Sequence, residues 1–312
     1  MNNYTKQLIK DLQEKNITQS SIRLYIRNME ILNDNTEIKN INFLNNIEEI
    51  NNKLSKYKDN TKRTYLISIC SVLSTIPTKK KIYKKYYDLL KEMNINLKKE
   101  EGQNKLNETQ KQNWITWEDV KNKYDELLEQ VNGFKNSKDI NENKYKILLK
   151  FVILSLYVLT KPRRNQDYTL MYIIKKYVPN IDAQYNYLDL TKKEFIFNVY
   201  KTAKTKGEKI KDIPEALYNN ILIYLKYHPL INNKRLTNAS RIPFLVYHDG
   251  STFNQTNDIT NILNKIFKKK IGSSMLRHIF LSSKYGDILK EQKEDAEDMG
   301  HSIQMQKDYI KI

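Results

Sequence analysis

Five positions in the second half of the chain carry side chains that could act on a phosphodiester: Arg163, Lys201, Arg277, His301 and Tyr309. Guanidinium groups bind phosphate oxygens through two parallel hydrogen bonds, and a lysine can supply a proton to a leaving oxygen. A tyrosine has a pKa of about 10, so it attacks poorly at neutral pH unless nearby cations stabilise its phenolate. These residue types together suit phosphodiester cleavage driven by positive charge and a tyrosine nucleophile, with no metal ion or cofactor.

The overall charge favours a polyanionic partner. The 312 residues include 54 Lys and Arg against 36 Asp and Glu, a formal net charge of +18. Such an excess attracts DNA, RNA or an anionic membrane surface. The longest apolar run, Phe151 to Leu159, is shorter than the roughly 20 residues that cross a bilayer, so we expect no membrane partner. The single cysteine, Cys70, gives no disulfide framework or thiolate metal site and fits an intracellular location.

Arginine is scarce and therefore informative. Only eight of the 54 basic residues are arginine, and lysine is used almost everywhere else. A guanidinium matches phosphate geometry in a way that the lysine point charge does not. Arg163, Arg164 and Arg277 are therefore stronger candidates for phosphate binding than a typical basic side chain. Arg164 is the alternative to Arg163 as the catalytic arginine, and we expect Arg164 to contact DNA if Arg163 is catalytic.

The first part of the chain predicts a helical domain over residues 1–96. Apolar residues recur at helical spacing in SIRLYIRNMEIL, TKRTYLISICSVL and KKKIYKKYYDLLKEM. The last of these segments has a lysine-rich face, either simply solvated or in contact with the DNA backbone. The DNA-contact hypothesis names Lys80, Lys81, Lys84 and Lys85. A polar stretch without periodicity then predicts a linker over 97–113.

Residues 114–312 predict a second, mainly helical domain with a small antiparallel β-sheet. An apolar helix, YKILLKFVILSLYVLT, ends at Lys161-Pro162 because proline disfavours helix in the residue before it. Alternating apolar and polar residues in YNYLDL and EFIFNVY predict strands, and EKIKDIP predicts a third. Lys201, Lys204 and Lys206 lie in the turn between the second and third strands. Helices predominate after that, and the segment containing Arg277 opens with Ser273-Ser274.

The order and spacing of these residues resemble the tyrosine recombinase, or phage-integrase, family. MLRHIF resembles the family's Leu-Arg-His-Thr-Phe run, and MGHS resembles its Leu-Gly-His-Ser. Tyr309 follows His301 by eight residues, close to the family's spacing. KPRRNQDY resembles integrases of large DNA viruses and virophages. The sequence departs from the family pattern at Ser274, which stands where the family's box normally has histidine.

The resemblance implies a SAM-like core-binding domain over 1–96 and a catalytic domain over 114–312. It implies cleavage and rejoining of specific duplex DNA sites through a 3′-phosphotyrosine, as in an integrase of a viral or mobile element. A viral integrase would act in the nucleus or cytoplasm of an infected cell. Arg163, Lys201, Arg277 and His301 would be catalytic, and Tyr309 the nucleophile. Ser274 is a possible substitute for the box histidine, and Lys204 would bind DNA. We expect a homo-oligomer, a dimer or tetramer, on double-stranded DNA.

Several alternatives stay open at this stage. One alternative is a type IB topoisomerase, which would use the same residue set to relax supercoils. Another is a recombinase-derived DNA-binding protein that has lost catalysis, and Ser274 in place of the box histidine favours it. Lys204 and Lys206 compete with Lys201 as the catalytic lysine. The sequence also leaves open the target site, whether the reaction is integration or excision, and whether Tyr309 acts in cis or in trans.

Overall fold

The computed structural model describes residues 1–101, 106–178, 182–231 and 241–310. The chain forms two compact units, Met1–Lys105 and Leu106–Ile312, and the division falls inside the predicted linker. That linker is not irregular throughout, as the sequence pattern suggested. A helix continues to Glu101, because its charged, unbranched residues favour helix, and another begins at Glu108, capped by Asn107 and Gln110. Linker residues 102–105 lie outside the described residues.

The first unit is built from helices whose apolar faces pack together. The side chains expected on one face of the second helix are largely buried, among them Ile22, Ile26 and Met29. A buried hydrogen bond from Asn28 to Ser68, 2.8 Å long, joins that helix to the fourth. The helices are α1 (Asn3–Glu14), α2 (Gln19–Leu32), α3 (Ile47–Ser55), α4 (Asp59–Leu73) and α5 (Lys80–Glu101).

The lysine-rich segment at the start of α5 contains two kinds of lysine. Lys79, just before the helix, donates to the side-chain oxygens of Asn42 and Asn45 at 3.1 and 3.0 Å, so it is part of the unit's own structure. The other four are exposed, and no acidic side chain of the described residues pairs with them: Lys80, Lys81, Lys84 and Lys85. Because residues four apart lie on one side of a helix, these four ammonium groups form a continuous basic strip.

The second unit surrounds the apolar helix α8 with further helices and a sheet. Ten residues of α8 are buried, including Phe151, Val152 and Ile153, as expected of a helix that is apolar nearly all round. The helices of this unit are α6 (Glu108–Asn113), α7 (Trp117–Asn132), α8 (Glu142–Val158), α9 (Gln166–Thr169), α10 (Ala203–Lys206), α11 (Glu215–Lys226), α12 (Thr256–Phe267), α13 (Ser273–Asp298) and α14 (Ile303–Tyr309).

The fold class is confirmed: the chain is mainly helical with one small sheet. The sheet has the order β4-β3-β2-β1-β5 and is mixed, not antiparallel throughout as predicted. The difference arises because β1, which the sequence did not predict, runs parallel to β2, while the other neighbours are antiparallel. The three predicted strands form β2, β3 and β4. The strands are β1 (Met171–Ile174), β2 (Asn186–Asp189), β3 (Glu194–Phe197), β4 (Lys209–Asp212) and β5 (Ile242–Pro243). None of the described helices is long and apolar enough to cross a membrane.

Replacing the four strip lysines of α5 with alanine should weaken DNA binding and its dependence on salt. Each neutralised phosphate contributes about −0.9 to the slope of log K against log salt, so the slope should flatten by about one unit for each phosphate that the variant no longer neutralises. Fluorescence anisotropy with a duplex at several salt concentrations measures this. The matched control removes four exposed lysines elsewhere in the same unit: Lys6, Lys10, Lys39 and Lys58. Equal slopes for the two variants would mean that the strip is merely solvated.

Candidate active site

The loop after α8 is fixed by the side chain of Asn165, which is buried. Its Oδ1 accepts from the hydroxyl of Tyr157 at 2.7 Å, and its Nδ2 donates to the carbonyl of Thr256 at 2.9 Å and to Oγ1 of Thr260 at 2.8 Å. Its backbone amide donates to Oγ of Ser273 at 3.3 Å. One residue therefore connects α8, the start of α12 and the start of α13, and it lies directly after Arg163 and Arg164.

Arg163 is held by both an ion pair and aromatic stacking. Its Nε lies 2.7 Å from Oδ2 of Asp167, four residues further on at the start of α9. Its guanidinium carbon is 3.7 Å from the ring centre of Phe197 and 5.8 Å from that of Tyr200. Cation–π contacts of this kind hold an arginine in one orientation. Arg163 is therefore positioned by the end of β3 as well as by its own loop.

Asp167 is a buried carboxylate among three arginines. The backbone oxygen of Asp167 accepts from Nδ2 of Asn186 at 2.9 Å, which ties the residue to β2. Its Oδ1 is buried, and no hydrogen-bond partner lies within reach among the described residues. Burial raises the pKa of this carboxyl, although the ion pair with Arg163 and the charges of Arg164 and Arg277 act in the opposite direction. Desolvation therefore outweighs the attraction of its cationic neighbours.

Arg277 lies in the second turn of α13 and is half-buried, and its Nε donates to the carbonyl of Ser273 at 3.4 Å. Burial lowers the pKa of its guanidinium, and the nearby positive charge of Arg164 lowers it further. Among the described residues, no side chain caps the start of α13. Uncapped amides at a helix N-terminus attract anions. Arg164, Arg277 and these amides therefore form a cationic site; Ser274, beside them, is exposed.

The candidate lysines lie in the connection between β3 and β4, as the sequence predicted. Lys201, Lys204 and Lys206 are all exposed, the last two within α10. Lys201 directly follows Tyr200, whose ring lies near the Arg163 guanidinium. Among the three lysines, Lys201 is therefore the one next in sequence to a residue of the arginine site. The sequence reasoning passed over Lys209, whose Nζ lies 5.3 Å from the Tyr200 ring centre.

His301 and Tyr309 are neighbours, with ring centres 5.5 Å apart, and Tyr309 is 67% exposed. They lie at the far end of α13, because the His301 amide donates to the carbonyl of Ala296 at 3.0 Å. Ala296 is 19 residues after Arg277 on the same helix, a separation of about 28 Å at 1.5 Å per residue. The structure thus gathers the three arginines but holds His301 and Tyr309 away from them.

Two buried polar residues of this site were missed by sequence reasoning. Asn165 and Asp167 both lie in the quoted RRNQDY segment but were not singled out. The opposite charges of Arg163 and Asp167, four residues apart, were the available signal for an ion pair, although Arg163 lies before α9 begins at Gln166. For Asn165 the sequence gives no comparable signal, since its partners come from three different elements.

Comparisons with known proteins add little to the functional argument from the residues themselves. No family model matches the chain, and no curated protein sequence matches it. Among solved structures, a match is found to one described as the crystal structure of XerA recombinase, covering 99% of this chain and 93% of that chain. The TM-score is 0.30 and the sequence identity 13%, so the likeness is weak and carries no functional argument.

Asp167→Asn should change how stability depends on pH. The folded pKa of Asp167 is raised above its usual 3.8, so the folded state holds this proton more tightly than the unfolded state. Its contribution to stability is therefore largest below 3.8 and is lost as pH rises through the folded pKa. Relative to the variant, the wild type should lose about 1.4 kcal/mol of unfolding free energy per unit of pKa shift across that window.

Urea denaturation at several pH values measures this difference. Asp125→Asn, which removes an exposed carboxylate from α7, is the control for loss of a negative charge. A difference between wild type and Asp167→Asn that stays constant, or that grows in favour of the wild type as pH rises, would contradict the assignment of a raised pKa.

Proposed function

We propose that this chain is a tyrosine recombinase that cuts and rejoins duplex DNA through a 3′-phosphotyrosine intermediate. The observation that carries the proposal is the convergence of Arg163, Arg164 and Arg277 at the uncapped start of α13. A cluster of guanidinium groups beside free helix amides is suited to hold a phosphodiester as its oxygens gain charge in the transition state. The pairing of His301 with Tyr309 adds an exposed candidate nucleophile next to a histidine.

The geometry favours Arg164 and Arg277 as the pair that grips the non-bridging oxygens. Arg163, favoured by the sequence as the catalytic arginine, already uses its Nε on Asp167 and stacks on Phe197. Arg164 has no such ion pair among the described residues, and its charge acts on Arg277. In this proposal Arg163 positions the loop, and Arg164 binds the phosphate with Arg277.

The reaction balances without an added oxidant or energy source. The Tyr309 hydroxyl oxygen attacks phosphorus, its proton leaves to the surroundings, and a P–O bond forms as the bond from phosphorus to the 5′-oxygen breaks. That 5′-oxygen takes a proton, for which Lys201 is the proposed donor. His301 helps to position the phosphate. Rejoining is the reverse step, with a 5′-hydroxyl attacking the phosphotyrosine.

A second candidate function is a recombinase-derived DNA-binding protein without catalysis. Two observations favour it: Ser274 replaces the box histidine, and Tyr309 lies far from Arg277 along α13. A nicked duplex from the DNA flanking the chain's own gene separates the two functions. A covalent protein–DNA band that resists denaturation supports the recombinase. Tight binding without any band supports the binding protein.

Tyr309→Phe should abolish the covalent band while leaving DNA affinity within about twofold, because only the nucleophilic oxygen is removed. Denaturing gels and anisotropy measure the two quantities. Tyr87→Phe, which removes another exposed tyrosine hydroxyl in the first unit, is the matched control and should retain the band. A band that persists in Tyr309→Phe would move the nucleophile to another residue.

Arg164→Lys should reduce the rate of adduct formation about a hundredfold to a thousandfold, because a point charge cannot reproduce a bidentate grip. Arg163→Lys should mainly lower the free energy of unfolding, since a lysine reproduces neither the ion-pair geometry with Asp167 nor the stack on Phe197. Single-turnover cleavage and urea denaturation of both variants test this contrast. If Arg163→Lys abolishes cleavage at wild-type stability while Arg164→Lys keeps it, the two roles are reversed.

A further inference from the structure

Two tyrosines lie one turn apart on the exposed side of α5. The rings of Tyr83 and Tyr87 are stacked, with their centres 5.8 Å apart and their planes inclined by 22°. Tyr83 packs against the core of the first unit, whereas Tyr87 is 48% exposed. The pair therefore has an inner ring that rests on the unit and an outer ring that is open to solvent.

A small cavity adjoins the outer ring. Its volume is about 200 Å³, and it is lined by Tyr87, Leu90, Lys91, Asn94 and Ile95. Drug-sized ligands occupy cavities of about 300 Å³ and more, so this one is sized for a single planar ring system. An aromatic ring and two aliphatic side chains would cover the faces of such a ligand, and the amide and ammonium groups would meet its polar edge.

The amide of Asn94 is oriented by an arginine. Nε of Arg63 lies 2.5 Å from Oδ1 of Asn94. Because a guanidinium only donates, the amide oxygen must face Arg63, and the Nδ2 group is left for another acceptor. Within the part of the chain that the structure describes, Nδ2 has no hydrogen-bond partner. Stacking on one face and hydrogen bonding at the edge is how proteins recognise a base that has left its stack.

Three lysines frame the same side of the helix. At 100° per residue, Lys80, Lys84 and Lys91 all fall within about 60° of Tyr87 around α5, and the acidic Asp88 lies further round. All three ammonium groups are exposed, and none forms an ion pair with another described residue. Lysines interleaved with an exposed aromatic ring suit a strand that offers its bases to the ring and its phosphates to the lysines.

The geometry of Tyr87 favours unpaired nucleotides over a duplex. In a duplex both faces of each base are covered by the adjacent base pairs, so a ring on a rigid helix reaches a base face only after the DNA has been unstacked. Unstacking costs a few kcal/mol, and least where the base is already unpaired. The lysines, by contrast, can contact the phosphates of either form. Tyr87 is therefore the group that would distinguish an unpaired strand from a duplex.

We propose that the aromatic face of α5, formed by Tyr83, Tyr87 and the adjoining cavity, binds unpaired nucleotides of a DNA strand, with one base stacked on Tyr87. The choice of DNA as the strand rests on the proposed function; the stacking does not depend on the cleavage reaction. The competing explanation is that the two rings only stabilise the helix, as aromatic pairs one turn apart do. That explanation leaves the oriented amide of Asn94 and the three unpaired lysines without a use.

Substitution of Tyr87 tests the stack. Tyr87→Ala should raise the dissociation constant for a labelled oligo(dU) strand about tenfold and leave that for a perfect duplex within about twofold, because only the unpaired strand uses the ring. Tyr87→Phe keeps the ring and should bind both as the wild type does. Tyr285→Ala, which removes a tyrosine of similar exposure beside a lysine in the second unit, is the matched control. Equal weakening of strand and duplex, or no weakening for the strand, would overturn the proposal.

Salt dependence separates stacking from charge. Tyr87→Ala should lower the affinity for oligo(dU) by the same factor at every salt concentration, since no phosphate contact is lost. Replacing Lys84 and Lys91 with alanine should instead flatten the slope of log K against log salt by about 0.7 for each lost contact on a single strand. A slope that flattens equally in Tyr87→Ala would mean that the ring only supports the lysines, which contradicts the stack.

Photo-cross-linking of the unmodified full chain makes the test independent of any variant. A 5-iodouracil base in the strand couples under ultraviolet light to an aromatic side chain that lies against it, and mass spectrometry of the digested complex should place the link at Tyr87. Links at other residues alone would refute the stacking site. Oligo(U) bound more than tenfold tighter than oligo(dU) would overturn the choice of DNA. A chain that never forms a phosphotyrosine band would refute the proposed function, while the link to Tyr87 still decides the stacking site.

Discussion

The placement of the arginines depends on the hydrogen bonds of one buried residue, Asn165. Three of its polar atoms bond to α8, to the first turn of α12 and to the start of α13. Each such bond contributes about 1 kcal/mol net, and a buried partner left without its bond costs more. Because Arg164 precedes Asn165 and Arg277 follows the Ser273 that Asn165 contacts, this residue sets the separation between the two arginines.

That separation matters because like charges are being held together. Three guanidinium groups against the one carboxylate of Asp167 leave an excess of two positive charges in a partly buried site. Such an excess is costly unless an anion is bound. The pKa of Arg277 is lowered first by burial and then by the positive charge of Arg164. Asp167 and the Phe197 ring stabilise Arg163, but neither neutralises Arg164 or Arg277. A phosphodiester, whose negative charge grows in the transition state, is well suited to balance them.

Helical faces and the main strands could be predicted from the sequence, because each depends on a local period of apolar residues. Ile22, Ile26 and Met29 are buried as their spacing required, and β2 to β4 lie where the alternation predicted them. The short strands β1 and β5 were missed, since they pair with residues distant in sequence and carry no clear alternation. Helix within the predicted linker was missed because polarity was taken as irregularity, although Asn107 and Gln110 form a capping box there.

The site was predictable in composition more than in arrangement. Scarcity of arginine and the family resemblance together selected Arg163, Arg164 and Arg277, whose charges act on Asp167 in the structure. The different contacts of Arg163 and Arg164 could not be foreseen, because they depend on which guanidinium reaches Asp167 and Phe197. The family resemblance also placed Tyr309 with the arginines. The long, continuous α13 puts about 28 Å of helix between Arg277 and Ala296, beside which His301 lies, and sequence spacing carries no information on the length of such a helix.

The most direct measurement is to identify the residue that becomes joined to DNA. The full chain is incubated with a nicked duplex from the DNA flanking its own gene, the covalent complex is digested with nuclease and protease, and the modified peptide is sequenced by mass spectrometry. A nucleotide attached through its 3′-phosphate to Tyr309 is the result that the account predicts. Attachment to a different residue, or binding of the duplex without any attachment, would contradict it.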